Sequence, residues 1–335
     1  MASQNQLSRY GAISRSVPGG LHPAGRVFLV ADSDDTTVGP FNLGNDFPVD
    51  GNGVVRVYST IQAAVNACDS RGDVVWVSPY HTENFTRADS WNVAGVQVIG
   101  GGEGDARPAL VYNDSGATVN LAASGIRVSN LMFMASTDSI GIALDLDTGF
   151  FGIKVDNCIF NTDAATDNFK TMVRVASKES VIENNQFLAQ DTVGAAFALK
   201  IVFGEPDNLV FRNNYIYGQF DSGADTVSAS PAPIGVDTAD TSDTNLSGLV
   251  IQNNTVINTD TASSLLMRLA GGTLFLRGLA RDNYFVSYDS ATADTSKFSF
   301  GLAAGQGIRM INNYCGSADS DALEKRINDS FVELV

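Results

Sequence analysis

A short stretch of alternating apolar and polar residues, ending in Asn or Asp, recurs through most of this chain. Each copy has an apolar residue two positions before its final residue and another three positions after it. The steps between successive final residues are 27, 27, 29, 40, 29 and 30. A constant interval in the high twenties, combined with a period of two, predicts a solenoid in which each repeat forms one coil. The final residues of the seven copies are Asn130, Asn157, Asn184, Asn213, Asn253, Asp282 and Asn312.

The repeat predicts an all-β fold, a right-handed parallel β-helix with three strands per coil. A third apolar stretch falls between successive copies, for example at 141–146 and 196–202, and supplies the third strand. Each coil would stack about 4.8 Å above the last through main-chain hydrogen bonds. Asn suits the bend because it tolerates left-handed backbone angles, and stacked Asn side chains can bond one another. We therefore predict that the seven final residues form an asparagine ladder.

The chain divides into four segments. Residues 1–24 have no strand or helix period and are predicted to be an extended N-terminal arm. Residues 25–54 are predicted as a leading strand and an acidic loop, and residues 55–317 as the β-helix. Residues 318–335 carry apolar side chains at helical spacing, which predicts a short C-terminal helix.

Two features are predicted within the β-helix. Residues 59–68 form a cap helix over the end of the coils, with Ser59 and Gln62 as its capping box. The 40-residue step marks an insertion at 221–247, which is acidic, low in complexity and predicted to be an exposed loop.

The start of the chain resembles a known superfamily. Residues 57–68 (VYSTIQAAVNAC) and 72–77 (GDVVWV) are similar to the start of the pectate-lyase-like β-helix superfamily. Together with 25–30 (GRVFLV) and 78–83 (SPYHTE), they also resemble β-helix proteins encoded among the structural genes of tailed bacteriophages. The resemblance implies a parallel β-helix and a place in a virion.

Composition excludes several classes of function. The formal charge of −16 is unsuited to nucleic-acid binding, which needs stripes of Lys and Arg. The sequence has no apolar run of membrane-spanning length and no apolar signal peptide in its first 25 residues. Its three Cys are odd in number and far apart, so no disulfide framework is predicted. We expect assembly in the reducing cytoplasm of a bacterial host.

The N-terminal arm contains both basic and apolar residues. One interpretation is a poorly ordered terminus, which most chains have. The favoured hypothesis is an arm that orders on a partner subunit, because it carries anchor residues that a plain linker does not need. The predicted docking residues are Leu7, Arg9, Tyr10, Ile13 and Arg15.

Candidate catalytic residues come from the outward columns of the repeat. Asp156 and Glu183 occupy equivalent positions in adjacent coils, so they are the acid–base pair if the chain is an enzyme. The favoured interpretation is an ordinary outward surface that carries both acidic and basic side chains. Asp145 and Asp147, on one strand, are a weaker pair. The acidic loop lacks regular calcium-ligand spacing, so no metal or cofactor is predicted.

Five tyrosines cluster late in the coils, at 215, 217, 284, 288 and 314. They suit either a subunit interface, which the sequence favours, or a platform for sugars. We therefore predict a non-enzymatic virion protein, a homotrimer that decorates a capsid surface by docking its arm on the major capsid protein or other virion subunits. The alternatives are a tailspike-type polysaccharide-degrading enzyme and a glycan-binding adhesin.

Overall fold

The computed structural model shows an all-β parallel solenoid. Each regular coil contributes one strand to each of three sheets, which we call sheets I, II and III in the order that the chain visits them. The structure describes residues 26–31, 37–38, 41–42, 57–162, 164, 166–189, 194–202, 206–220, 232–236, 246–260, 265–269, 276–288, 299–302, 307–317 and 325–327.

Sheet I contains the strands that lead into the recurring Asn or Asp, and its strands pair in parallel from coil to coil. Its strands are Val27–Val30, Val57–Tyr58, Val74–Val77, Gln97–Gly100, Arg127–Ser129, Lys154–Asp156, Val181–Glu183, Val210–Arg212, Leu246–Gln252, Leu276–Arg281 and Gly307–Ile311.

Sheet II follows the corner, and sheet III closes the coil. Sheet II contains Thr82–Phe85, Ala109–Tyr112, Met132–Ala135, Ile159–Thr162, Gln186–Leu188, Tyr215–Gly218, Thr255–Asn258, Tyr284–Ser287, Asn313–Ser317 and Lys325–Ile327. Sheet III contains Ala88–Trp91, Thr118–Leu121, Ile140–Leu146, Phe169–Val175, Phe197–Ile201, Ile234–Val236, Leu265–Leu269 and Ser299–Leu302. A separate antiparallel pair joins Thr37–Val38 to Phe41–Asn42.

The corner between sheets I and II needs a residue with left-handed backbone angles. All seven recurring Asn and Asp residues have positive φ, between 52° and 58°. Other side chains pay about 1–2 kcal/mol in this conformation, whereas Asn and Asp tolerate it. The backbone therefore turns sharply at one residue per coil.

The amides that bond one another from coil to coil lie one residue after the positions predicted as the ladder. Asn214 donates from its backbone N–H to Asn254 Oδ1 at 3.0 Å and from Nδ2 to the same oxygen at 3.1 Å. Asn254 repeats both bonds to Asn283, and Asn283 repeats them to Asn313. The reason is the direction of the side chains. The side chain after the left-handed corner points into the solenoid, whereas that of the corner residue does not.

The interior is one continuous apolar core. Phenylalanine rings stack along it, with centroids 4.7 Å apart for Phe133 and Phe160 and 4.9 Å apart for Phe160 and Phe187. These distances match the spacing between neighbouring strands. Identical positions in successive coils therefore hold the coils in register.

Helix α1 spans Ile61–Ala67 and packs its buried face against the first strands. The predicted capping box does not form. Thr60, rather than Ser59, is the N-cap and accepts from Ala63 N, while Glu83 Oε2 accepts from Ile61 N at 2.8 Å. A carboxylate from the first coil thus accepts from a backbone N–H in the first turn of the helix. One turn of 3₁₀ helix covers Gly104–Ala106.

Two further predictions fail locally. The stretch 221–247, predicted as an exposed loop, contains the buried strand Ile234–Val236, which pairs with Phe197–Ile201. The predicted C-terminal helix contains the strand Lys325–Ile327, antiparallel to Asn313–Ser317. In both places an unpaired sheet position offers main-chain hydrogen bonds that outweigh a local helix or loop pattern. The predicted arm, with its docking residues, lies outside the described residues.

Candidate active site

The predicted pair Asp156 and Glu183 lies side by side on sheet I. Arg127 donates to both Asp156 oxygens, from Nε and Nη2, at 2.7 Å each. Ser129 Oγ and Asn157 Nδ2 also donate to Asp156 Oδ2, at 3.0 and 2.9 Å. The Asp156 carboxylate is therefore fully engaged inside the protein.

Glu183 is paired with two cations. Lys154 Nζ lies 2.6 Å from Oε1, and Arg212 Nε donates to Oε2 at 2.6 Å. Burial raises the pKa of the Glu183 carboxyl, but the hydrogen bonds from Lys154 and Arg212 outweigh burial and hold the pKa below its usual value. A general acid needs the opposite shift, so this pair does not fit the acid–base role.

Sheet III presents a different group of polar side chains on its outer face. Asn120 pairs in register with Asp145, Asp145 with Arg174, and Arg174 with Lys200. These four residues, which we call the Asp145 column, therefore follow one another at about 4.8 Å along the solenoid axis. The sequence singled out Asp145, but Asn120, Arg174 and Lys200 were missed. Aligning the third strand of each coil would have found them, since the steps from Asp145 to Arg174 and on to Lys200 are 29 and 26 residues.

Asp145 is a largely buried carboxyl group with a raised pKa. Its side chain is 14% exposed, and burial raises the pKa of the carboxyl. Arg174 Nη1 donates to Oδ2 at 2.9 Å and opposes that rise without cancelling it. Among the described residues, Oδ1 of Asp145 and Oδ1 of neighbouring Asn120 are buried and have no hydrogen-bond partner. Two adjacent polar atoms are thus left to bind something else.

A second carboxylate lies close by. Asp147 is two residues further along the same strand direction, so it emerges on the same side as Asp145, about 6.6 Å away along the backbone. Its negative charge contributes to the raised pKa of Asp145. Both members of the weaker predicted pair therefore lie together on one face.

The cations of the column are positioned by packing. Lys200 Nζ lies 5.5 Å from the centre of the Phe197 ring, and its residue is 9% exposed. Arg174 is held by its bond to Asp145. An anionic or strongly polar ligand on this face would therefore meet two fixed positive charges beside one protonatable carboxyl.

Another pair of carboxyl groups lines a cavity of about 160 Å³ beside α1. Burial raises the pKa of Asp89, which accepts from Arg87 Nε at 3.4 Å. Its neighbour Glu83 is occupied in capping α1. The cavity lies at one end of the rod, whereas the Asp145 column runs along a sheet face, so the column is better placed for a polymer.

Within the part of the chain that the structure describes, no group of three or more His, Cys, Asp or Glu side chains is placed to hold a metal ion. No helix in those same residues is long and apolar enough to cross a membrane.

Comparison with known proteins returns two solved β-helix enzymes. The catalytic domain of a GH87 alpha-1,3-glucanase in complex with tetrasaccharides is 17% identical, with a TM-score of 0.42, over 76% of this chain and 44% of that domain. A Bacillus pectate lyase in complex with trigalacturonate is 12% identical, with a TM-score of 0.36, over 97% of this chain and 93% of the lyase. This chain therefore spans less than half of the glucanase domain. Neither the protein-family models nor the curated proteins yield a match.

The comparison contradicts the prediction of a non-enzymatic capsid decoration protein. Both similar structures are carbohydrate-active enzymes, and neither is a phage particle protein. The prediction rested on the resemblance of the first coils to phage structural proteins, which neither similar structure supports. What the two structures share with this chain is the parallel β-helix.

Proposed function

We propose that this chain is a polysaccharide-cleaving enzyme whose active site is the Asp145 column together with Asp147. The observation that supports it is Asp145, a carboxyl group with a raised pKa and one buried, unpartnered oxygen, which stands in a polar column on the outer side of a long sheet. A carboxyl in this state keeps its proton to a higher pH than an ordinary Asp and can donate it to a leaving group.

The two carboxyl groups take different roles. Asp145 donates its proton from Oδ1 to the glycosidic oxygen, while Arg174 holds Oδ2 in place. Asp147 accepts a proton from a water molecule, whose oxygen bonds to the anomeric carbon as the bond to the leaving sugar breaks. One proton is given and one is received, so the enzyme returns to its starting state after the carboxyl groups exchange protons with solvent.

The separation of the two carboxyl groups predicts whether hydrolysis inverts or retains the configuration at the anomeric carbon. Inverting glycosidases place a water between carboxyl groups that are about 6.5–9.5 Å apart, whereas retaining enzymes use about 5–5.5 Å. Asp147 directly follows the strand Ile140–Leu146, so the backbones of Asp145 and Asp147 are about 6.6 Å apart. Carboxyl groups that point outward from these positions leave room for a water between them. We therefore propose hydrolysis with inversion.

The column suits an extended ligand. Asn120 and Lys200 lie on either side of the Asp145–Arg174 pair, at successive coils along the axis. A sugar chain lying along the axis would place successive units against successive coils, with hydroxyl or carboxylate groups accepting from Lys200 and Arg174.

The test is a depolymerisation assay on neutral and acidic polysaccharides, with reducing ends and product anomers measured by NMR. Asp145→Asn and Asp147→Asn should each lower the rate about 100-fold or more, since that is the usual contribution of a general acid or base. Asp105→Asn, an exposed aspartate of the 3₁₀ turn, is the matched control and should keep full activity. Full activity in Asp145→Asn, or products with unsaturated ends, would contradict this proposal.

A further inference from the structure

The outer face of sheet II differs from the other two faces in charge. From Met132 to Tyr314, every outward side chain of its described strands is uncharged. The faces of sheets I and III carry ion pairs such as Arg127–Asp156 and Arg174–Asp145. In a chain with a formal charge of −16, a face without charges over seven coils differs strongly from the rest of the surface.

The same face is apolar and aromatic, and all of its side chains are partly exposed. Tyr215, Tyr217, Tyr284 and Tyr314 are 36–42% exposed. Tyr215 and Tyr284 lie two coils apart in one column, and Tyr314 follows Tyr284 directly. We call the whole surface the sheet II face. Its other outward side chains are Met132, Met134, Ile159, Asn161, Gln186, Leu188, Thr255, Ile257 and Val286.

We propose that the sheet II face is a self-association surface, and that its occupant is the same face of a second copy of this chain. Met and Tyr are enriched and charged residues depleted in the buried centre of protein interfaces. Seven coils make the face about 29 Å long, and exposed apolar patches of such extent are rare in monomers.

Charge selects a second copy as the occupant. Two chains of −16 repel one another through any approach that brings their charged surfaces together. Among the described sheet faces, only that of sheet II between Met132 and Tyr314 lets two copies meet with no charged side chain at the contact centre, and a symmetric pairing places this face against itself. A sugar is a poorer match, because most of its hydroxyl groups would find no hydrogen-bond partner on this largely apolar face. This face is formed by strands and offers Asn161, Gln186 and Thr255 among its apolar residues.

This proposal is independent of the proposed enzyme activity, because the sheet II face and the Asp145 column belong to different sheets. Disrupting the contact should therefore leave cleavage by the Asp145 column unchanged. Losing Asp145 should in turn leave the oligomer unchanged.

The experiment is sedimentation equilibrium of the full chain and of two variants, Tyr217→Lys and Tyr284→Lys. The wild-type chain should sediment at a multiple of its mass, and each variant should associate at least about tenfold more weakly. Phe151→Lys is the matched control, since Phe151 is 52% exposed and lies outside sheet II but gains the same charge. Thermal melting checks that all four proteins remain folded.

Salt provides a second readout. Because the contact itself carries no ion pairs and the copies repel at a distance, added NaCl should strengthen association. A monomeric wild-type chain at every concentration overturns the proposal, and so does an oligomer that both tyrosine variants leave intact. A monomer that binds a neutral glucan through Tyr284 also overturns it, in favour of a sugar platform.

Discussion

Asp145 and Arg174 lie opposite each other on neighbouring coils of sheet III, joined by one hydrogen bond of 2.9 Å between Nη1 and Oδ2. The bond engages one carboxylate oxygen and leaves the other without a partner among the described residues. Burial outweighs the arginine, so the pKa of Asp145 stays above its usual value. The pair combines fixed geometry with a carboxyl pKa above its usual value.

Removing the arginine should raise the pKa of Asp145 further. Arg174→Met deletes the charge that opposes burial, so the proton should be held to a higher pH. The alkaline limb of the cleavage rate, where the acid loses its proton, should move to higher pH, and an NMR titration of the Asp145 carboxyl should show the same direction. Arg309→Met, an exposed arginine of sheet I, is the control. An unchanged titration in Arg174→Met would mean that the pair is not coupled.

The contribution of Asp145 to the free energy of unfolding should decrease as the pH rises. A carboxyl whose folded pKa is raised stabilises the native state below its unfolded pKa, and this contribution is lost as the pH rises through the folded pKa. Asp145→Asn should remove that decline. Unfolding free energies measured by urea from acidic to neutral pH should therefore converge at low pH, with the variant losing less stability on the way to neutral. Parallel curves for the two proteins would exclude the raised pKa.

Glu183 should have the opposite pH dependence. Its folded pKa is lowered, so its contribution is present above the unfolded pKa and is lost as the pH falls through the folded pKa. Glu183→Gln should cost about 1–3 kcal/mol at neutral pH, because Lys154 and Arg212 lose their shared partner. The difference should shrink in acid. Glu103→Gln, at an exposed glutamate, should change stability by less than about 0.5 kcal/mol.

Replacing the adjacent asparagines Asn253 and Asn254 should destabilise the fold for two different reasons. Asn254→Ala removes the oxygen that accepts from Asn214 and the amide that donates to Phe211 O at 3.0 Å. Leaving those buried groups unpaired should cost about 2–4 kcal/mol. Asn253 has φ of 53°, so Asn253→Ala should cost about 1–2 kcal/mol, and Asn253→Gly should restore most of it.

Chemical denaturation of these three variants separates the roles. Equal losses in Asn253→Ala and Asn253→Gly would show that the corner conformation is not what Asn253 supplies. A loss below about 1 kcal/mol in Asn254→Ala would show that the buried amides are replaceable by water.

Local chemistry explains what could be predicted. The alternation of apolar and polar residues places Val155 inward and Asp156 outward without reference to the rest of the chain, because side chains alternate along a strand. The interval between repeats predicts the pairing of Asp156 with Glu183, since stacked coils bring equivalent positions together. The direction of each side chain and its neighbour in the next coil could therefore be predicted from the sequence.

The state of each carboxylate was not readable in this way. Asp156, Glu183 and Asp145 all appear in sequence as acidic residues on outward columns. The structure surrounds the first two with Arg127, Lys154 and Arg212, and leaves Asp145 with one partner and one unpartnered oxygen. These surroundings come from coils more than twenty residues away and from side-chain reach, which is why the proposed acid–base site lies on sheet III and not on sheet I.

The sequence by itself determined the repeat, the corner residue and the inward or outward direction of each strand position, because these depend on backbone angles and on a period of two. Only the tertiary structure decided which amides bond one another from coil to coil, that Ile234–Val236 and Lys325–Ile327 are strands, and that burial raises the pKa of Asp145. Those outcomes depend on unpaired main-chain groups, burial and neighbouring charges, which exist only once the coils are stacked.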